Sequence, residues 1–194
     1  NLPILSWILL KGQCAYCGTG FSVRYPLVEA LNGFLFVLFF YRFAFHPVTP
    51  VIWLLSATLV VISFIDLDHQ IIPDVISLPG IVVGFACSFL VPWVTWQESL
   101  TGILLGGGSL LLIALGYESV TKKEGMGFGD VKLLAMLGAF LGWPAIFPII
   151  FLGSVLGTCV GVPLMLLNKA DSRLALPFGP FLSVGALCHV LFVD

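Results

Sequence analysis

Charge is what this sequence most lacks. Of 194 residues, eight are basic and ten acidic, 9% in all, against about 25% in an ordinary soluble domain. So few charges cannot cover the surface of a soluble protein of this size, nor leave a chain disordered. A nucleic-acid binder needs a basic surface, and here the net charge is −2. Five cysteines are too few for a disulfide scaffold. Cys87, Cys159 and Cys188 stand singly in apolar runs, where cysteine acts as a small hydrophobe. Only Cys14 and Cys17 pair in sequence. The opening Asn1–Gly12 has neither a basic start nor a cleavage site, so no signal peptide is read. Because the chain opens on Asn1 and not Met, a further N-terminal segment is expected.

What is present is apolar: 59% of the residues. The expected class is an all-α polytopic membrane bundle in a lipid bilayer. A membrane helix takes about 20 mostly apolar residues. Candidate spans are Leu27–Phe45, Val51–Ile65, Val75–Pro92, Leu100–Tyr117, Val131–Gly142, Ile146–Leu167 and Pro177–Val193, about seven transmembrane segments. Val131–Gly142 would reach only about 18 Å of a ~30 Å core. It must be partly re-entrant, or continue through Gly142-Trp143-Pro144 before turning. The organisation expected is a small polar cytoplasmic segment at 1–26 and a helical bundle at 27–194.

The basic residues orient the bundle. With the N-terminus cytoplasmic, Lys11, Arg24, Lys122, Lys123, Lys132, Lys169 and Arg173 lie inside and only Arg42 outside, as the positive-inside rule requires. Asp66, Asp68, Asp74, Glu118, Glu124, Asp130 and Asp171 then fall on the cytoplasmic side. Glu98 and Asp194 fall outside.

Two stretches can carry chemistry. In Phe64-Ile65-Asp66-Leu67-Asp68-His69, Asp66 ends a span and meets the negative end of the helix dipole. It reads either as a solvated rim acid or as an acid kept for proton chemistry. Asp68 reads as a solvated loop acid. N-capping of the third span accounts for Asp74. In Gly125-Met126-Gly127-Phe128-Gly129-Asp130-Val131-Lys132, alternating glycines precede the short apolar helix and permit close backbone approach. Asp130 reads as an N-cap or as a second carboxylate meeting Asp66. Two carboxylates sharing one proton activate water and protonate a leaving amine. The dipole argument puts the negative charge on Asp130 and the proton on Asp66. Glu29, one turn into the first span, reads equally as structural or functional. Cys14-x-x-Cys17 has half the spacing of a structural zinc site, which takes four ligands.

Three readings compete: an aspartic protease at the membrane edge, a transporter with Asp66, Asp130 and Glu29 as relay groups, and an assembly subunit without chemistry. The acids gather on one face and not near the midplane, which disfavours the transporter.

The stretches Leu2-Pro3-Ile4-Leu5-Ser6-Trp7, Cys14-Ala15-Tyr16-Cys17, Arg24-Tyr25-Pro26-Leu27-Val28-Glu29, Asp66-Leu67-Asp68-His69, Ile72-Pro73-Asp74, Gly127-Phe128-Gly129-Asp130-Val131-Lys132 and Pro177-Phe178-Gly179-Pro180 come in one order over nearly the whole chain. In them the sequence resembles the type IV prepilin peptidases, bacterial membrane aspartic proteases with a Gly-x-Gly-Asp motif. The resemblance implies catalytic Asp66 and Asp130, with Gly127, Gly129, Glu29 and Lys132 in support. It implies prepilins and pseudopilins of pili and type II secretion as substrates, cut between Gly and Phe at the cytoplasmic face of the inner membrane. No cofactor is expected for proteolysis. The resemblance further implies S-adenosylmethionine for methylating the new amine. It implies zinc on four cysteines, of which Cys14 and Cys17 are half. The upstream Cys pair and further helix of the pattern have no counterpart in this sequence.

Overall fold

The computed structural model describes residues 4–90, 92–121, 127–168 and 176–192. Of the sequence features above, Leu2, Pro3, Gly125 and Met126 lie outside the described residues. So do the charged Lys122, Lys123, Glu124, Lys169, Asp171, Arg173 and Asp194. The described residues are helical throughout, apart from turns and one isolated antiparallel bridge, Gln13 to Gly20. The helices are α1 (Leu5–Leu9), α2 (Arg24–Phe43), α3 (Thr49–His69), α4 (Asp74–Leu90), α5 (Trp96–Thr121), α6 (Phe128–Leu141), α7 (Ile146–Asn168) and α8 (Gly179–Phe192). Each of the seven apolar runs is one of the helices α2 to α8. Among the described residues, four helices are long and apolar enough to cross a membrane: α2, α3, α5, and α7 with the turn that leads into it.

The chain divides into two compact units, Asn1–Val60 and Val61–Asp194. The N-terminal unit opens on α1, after which the chain folds back on itself. The Gly12 N–H donates to the Trp7 carbonyl at 2.8 Å, and the Phe21 N–H to the Gly12 carbonyl at 2.6 Å. Between them Cys14 and Thr19 close a knuckle: the Cys14 N–H donates to the Thr19 carbonyl at 2.8 Å and the Gly18 N–H to the Cys14 carbonyl at 3.0 Å. Gly18 turns the knuckle at φ +68°, a conformation that glycine adopts without steric cost. Further along, Trp53 of α3 stacks on Phe36 of α2, ring centroids 5.1 Å apart, and its indole N–H donates to the Phe36 carbonyl at 2.9 Å.

In the C-terminal unit the shortest long-buried element is the organising one. Every residue of α6 from Leu133 to Leu141 is buried. At about 1.5 Å per residue, fourteen residues fall well short of a bilayer core. Non-helical or short segments at that depth are tolerated where protein covers them, and α4 and α5 cover this one. A Cβ at Gly80 or Gly84 of α4 would run into Met136, Ala139 and Phe140 of α6. A Cβ at Gly102 of α5 would strike the Gly138 backbone, and one at Gly138 the Gly102 backbone. Gly106, one turn on from Gly102, meets the Leu134 carbonyl in the same way. Two small-xxx-small faces therefore hold α6 at backbone distance, the mode that replaces hydrophobic burial between membrane helices. The Ser99 hydroxyl adds a buried bond to the Ala139 carbonyl at 2.7 Å.

Helix ends follow from local chemistry. Thr95 and Glu98 form a capping box at the start of α5: the Thr95 N–H and hydroxyl donate to Glu98 Oε2 at 2.9 and 2.8 Å, and the Glu98 N–H donates back to Thr95 Oγ1 at 3.3 Å. After Leu141 the chain turns at Gly142 (φ +77°) into a short 3-10 turn, Trp143–Ala145, and then α7. The short helix thus does not continue through Gly142-Trp143-Pro144; it stops there.

Candidate active site

Asp66 lies in the last turn of α3, which runs on to His69. The helix ends through Gln70, whose N–H bonds back to the Asp66 carbonyl at 2.8 Å and whose φ is +54°. The Asp66 side chain is not a solvated rim acid. The residue is 5% exposed, and its Oδ2 accepts the backbone N–H of Gly179 at 3.0 Å. Gly179 is the first residue of α8, so the carboxylate meets the positive end of a second helix. A Cβ on Gly179 would stand 2.7 Å from that oxygen. Only glycine lets the α8 backbone come this near. Gly179 falls within the Pro177-Phe178-Gly179-Pro180 stretch, yet its spacing in sequence gave no hint of a partner 113 residues away.

Asp130 is the third residue of α6 and not its cap; Gly127 occupies the cap position. Asp66 and Asp130 both line one cavity of about 270 Å³, with Gln70, Ile71, Ile72, Asp74, Gly127 and Gly129. Gly129 makes the approach possible, since a Cβ there would come within 2.9 Å of the Ile72 Cβ. Asp130 is half-buried beside Asp66 in this cavity. Asp66 faces an N–H that an ionised carboxylate accepts well, so this geometry favours the charge on Asp66, where the helix dipoles alone favoured Asp130.

Asp74 is also corrected. It is the first residue of α4, and both its oxygens accept from Lys132 Nζ, at 2.6 and 2.8 Å. Its carboxylate is spent on an ion pair and not on capping the helix.

Glu29 and the cysteine pair belong to the N-terminal unit. Glu29 Oε2 accepts the Ile4 N–H at 2.8 Å. Glu29 and Cys14 line a separate cavity of about 400 Å³ with Trp7, Tyr16, Phe21 and Tyr25 among others. Cys17 is exposed. Hydrogen bonds with Thr19, and less strongly with Cys14, pull its thiol below the ordinary range. Among the described residues no three His, Cys, Asp or Glu side chains gather as metal ligands.

Comparison with known proteins agrees with this layout. The type IV leader peptidase family matches residues 53–162, and the bacterial peptidase A24 N-terminal domain matches residues 1–43. The chain is 39% identical over 194 residues to the prepilin leader peptidase/N-methyltransferase of Pseudomonas putida, covering 100% of this chain and 67% of the relative. It is 37% identical to that of Stutzerimonas stutzeri with the same coverage. To that of Neisseria gonorrhoeae it is 40% identical over 184 residues, 95% of this chain and 63% of the relative. No solved structure matches the chain. On the extent of these matches, the chain belongs to the type IV leader peptidase family.

Proposed function

We propose that this protein is a prepilin peptidase of the bacterial inner membrane, and that Asp66 and Asp130 cut the leader with one water between them. The observation that carries the reading is the shared cavity of the two carboxylates. Asp66, ionised, takes a proton from the water as it attacks the scissile carbonyl. Asp130, protonated, gives its proton to the carbonyl oxygen. The tetrahedral intermediate collapses as Asp66 passes its new proton to the leaving amine and Asp130 recovers one from the intermediate's hydroxyl. Both residues end as they began, and no metal is needed for the step. The names of the relatives support prepilins as substrates. The family resemblance supports a basic leader, a Gly–Phe bond and pseudopilins as further substrates.

In this reading α4, α6 and α8 complete about seven spans with the four long helices, and both aspartates open to the cytoplasm. The basic residues counted in the sequence support that orientation. Residues 1–26 act as a cytoplasmic segment ahead of the bundle at 27–194.

The N-methyltransferase named in the relatives points to S-adenosylmethionine. The N-terminal cavity suits that group: Trp7, Phe21 and Tyr25 offer faces for an adenine ring or a sulfonium, and Glu29 offers a carboxylate. Once bound, the group supplies a methyl for the amine that cleavage exposes. Cys14 and Cys17 would give zinc two of its four ligands, and the ion would stiffen the knuckle and not enter the chemistry.

The test is cleavage of a membrane-inserted prepilin by the protein and by Asp66→Asn, Asp130→Asn and the double variant at matched membrane levels. All three should fall by at least about 10²-fold, to one common background. Near-normal cleavage by either single variant overturns the reading.

A further inference from the structure

The geometry points to the Asp74–Lys132 ion pair as a positioning latch, which holds the first turn of α6, and with it Asp130, against the start of α4. Lys132 lies two residues beyond Asp130, and Asp74 two residues beyond Ile72. The α3–α4 connection therefore grips the start of α6 at two points. Ile72 sits against Gly129 so closely that a Cβ would reach 2.9 Å from its own. Lys132 Nζ reaches both Asp74 oxygens at 2.6 and 2.8 Å. The two grips bracket Asp130, and Asp74, Gly129 and Asp130 all line the cavity.

The remainder of α6 gives this local grip its purpose. From Leu133 to Leu141 the helix is buried against α4 and α5, but Phe128 in its first turn is 60% exposed. The ion pair acts on this less buried start of the helix. Surface ion pairs are generally worth little, and these side chains are 33% and 56% exposed. The contribution therefore lies in where it puts the Asp130 carboxyl, and a displacement of about 1 Å at a reacting group can cost about 10²-fold in rate. The assignment rests on the peptidase reading for its rate measurements, and has a second readout that does not.

The experiment compares Asp74→Asn, Lys132→Met, Lys132→Arg and the charge swap Asp74→Lys with Lys132→Asp. Each is purified in detergent and required to elute as a single species. Asp74→Asn and Lys132→Met should lower kcat for prepilin cleavage by about 10- to 100-fold with KM within about twofold. Lys132→Arg and the swap should return to within about fivefold of the parent. The second readout is labelling of Asp130 by a carbodiimide, which reacts with a protonated carboxyl, followed by mass mapping. Its rate should change severalfold in the two single neutral variants and return in the swap. Single variants with parental kcat and labelling, or a swap no better than the worse single variant in both measurements, would overturn the latch. If the parent protein fails to cut prepilin, the peptidase reading fails, and the labelling pattern alone decides the latch.

Discussion

A carboxylic acid can donate a proton at neutral pH only where its surroundings keep the proton on. In the proposed mechanism Asp130 is that acid, half-buried beside the Asp66 carboxylate. The consequence is a definite alkaline limb. If Asp130 is the donor, kcat/KM should fall about tenfold per pH unit on the alkaline side of its titration. A profile flat from pH 6 to 9, with chemistry rate-limiting, would exclude Asp130 as the donor. The opposite member depends on Gly179. Gly179→Ala puts a methyl 2.7 Å from Asp66 Oδ2, and something must move. Cleavage should drop by about 10²-fold while the melting temperature in detergent falls only slightly; full activity would show that the Gly179 N–H does not hold Asp66. At this scale the sequence was readable for the acids themselves, because charges are rare in so apolar a chain. It was not readable for their partners. Gly179 lies 113 positions from Asp66 and Lys132 58 from Asp74, and neither distance has a sequence period. The capping argument for Asp74 failed because a nearby ammonium competes for the same oxygens.

Helices were legible from apolar runs, and the seven runs match α2 to α8 to within a few residues. Ends were less so. The run Val51–Ile65 stops at the first charge, yet α3 continues to His69, since a helix interior tolerates Asp when its carboxylate has a donor. The shortness of α6 could be counted from the sequence. Its support could not be, although Gly80 and Gly84, and Gly102 and Gly106, are each spaced by four. Such spacing places two glycines on one face without saying which neighbour uses it. The packing makes a testable distinction between these glycines and others. Gly138→Leu drives a side chain into the Gly102 backbone, and should destabilise the fold by about 1–3 kcal/mol or more. Gly108→Leu on α5, where a Cβ meets nothing within 4 Å, should leave it nearly unchanged. Thermal unfolding of both in one detergent checks the pair; equal losses would mean that α5 and α6 do not approach at Gly138.

Across the whole chain, solvent decides the surface. Leu104, Leu112, Phe147, Phe151 and Leu166 on α5 and α7 are more than half exposed, and so much apolar area facing outward needs lipid to cover it. The direction in which the chain enters the lipid follows from where the cations are. Transfer of short loops is resisted by Lys and Arg far more than by Asp and Glu. Lys11 precedes α2 and Arg24 is its first residue, Lys132 lies at the start of α6, and Arg42 lies in the last turn of α2. In the proposed topology α2 leads outward, α3 returns and ends at His69 on the inside, and α4 carries the chain out again, which would place the capping box of α5 on the outer side. Two positions read this alternation directly. In a protein whose five cysteines are replaced by serine, Gln97→Cys at the start of α5 should react with a membrane-impermeant maleimide in intact spheroplasts. Asp68→Cys at the end of α3 should react only after lysis. The reverse pattern would put both aspartates on the outer face and overturn the proposed cytoplasmic site. Reaction of both positions in sealed spheroplasts would mean that α4 does not cross at all, and would reduce the bundle below seven spans.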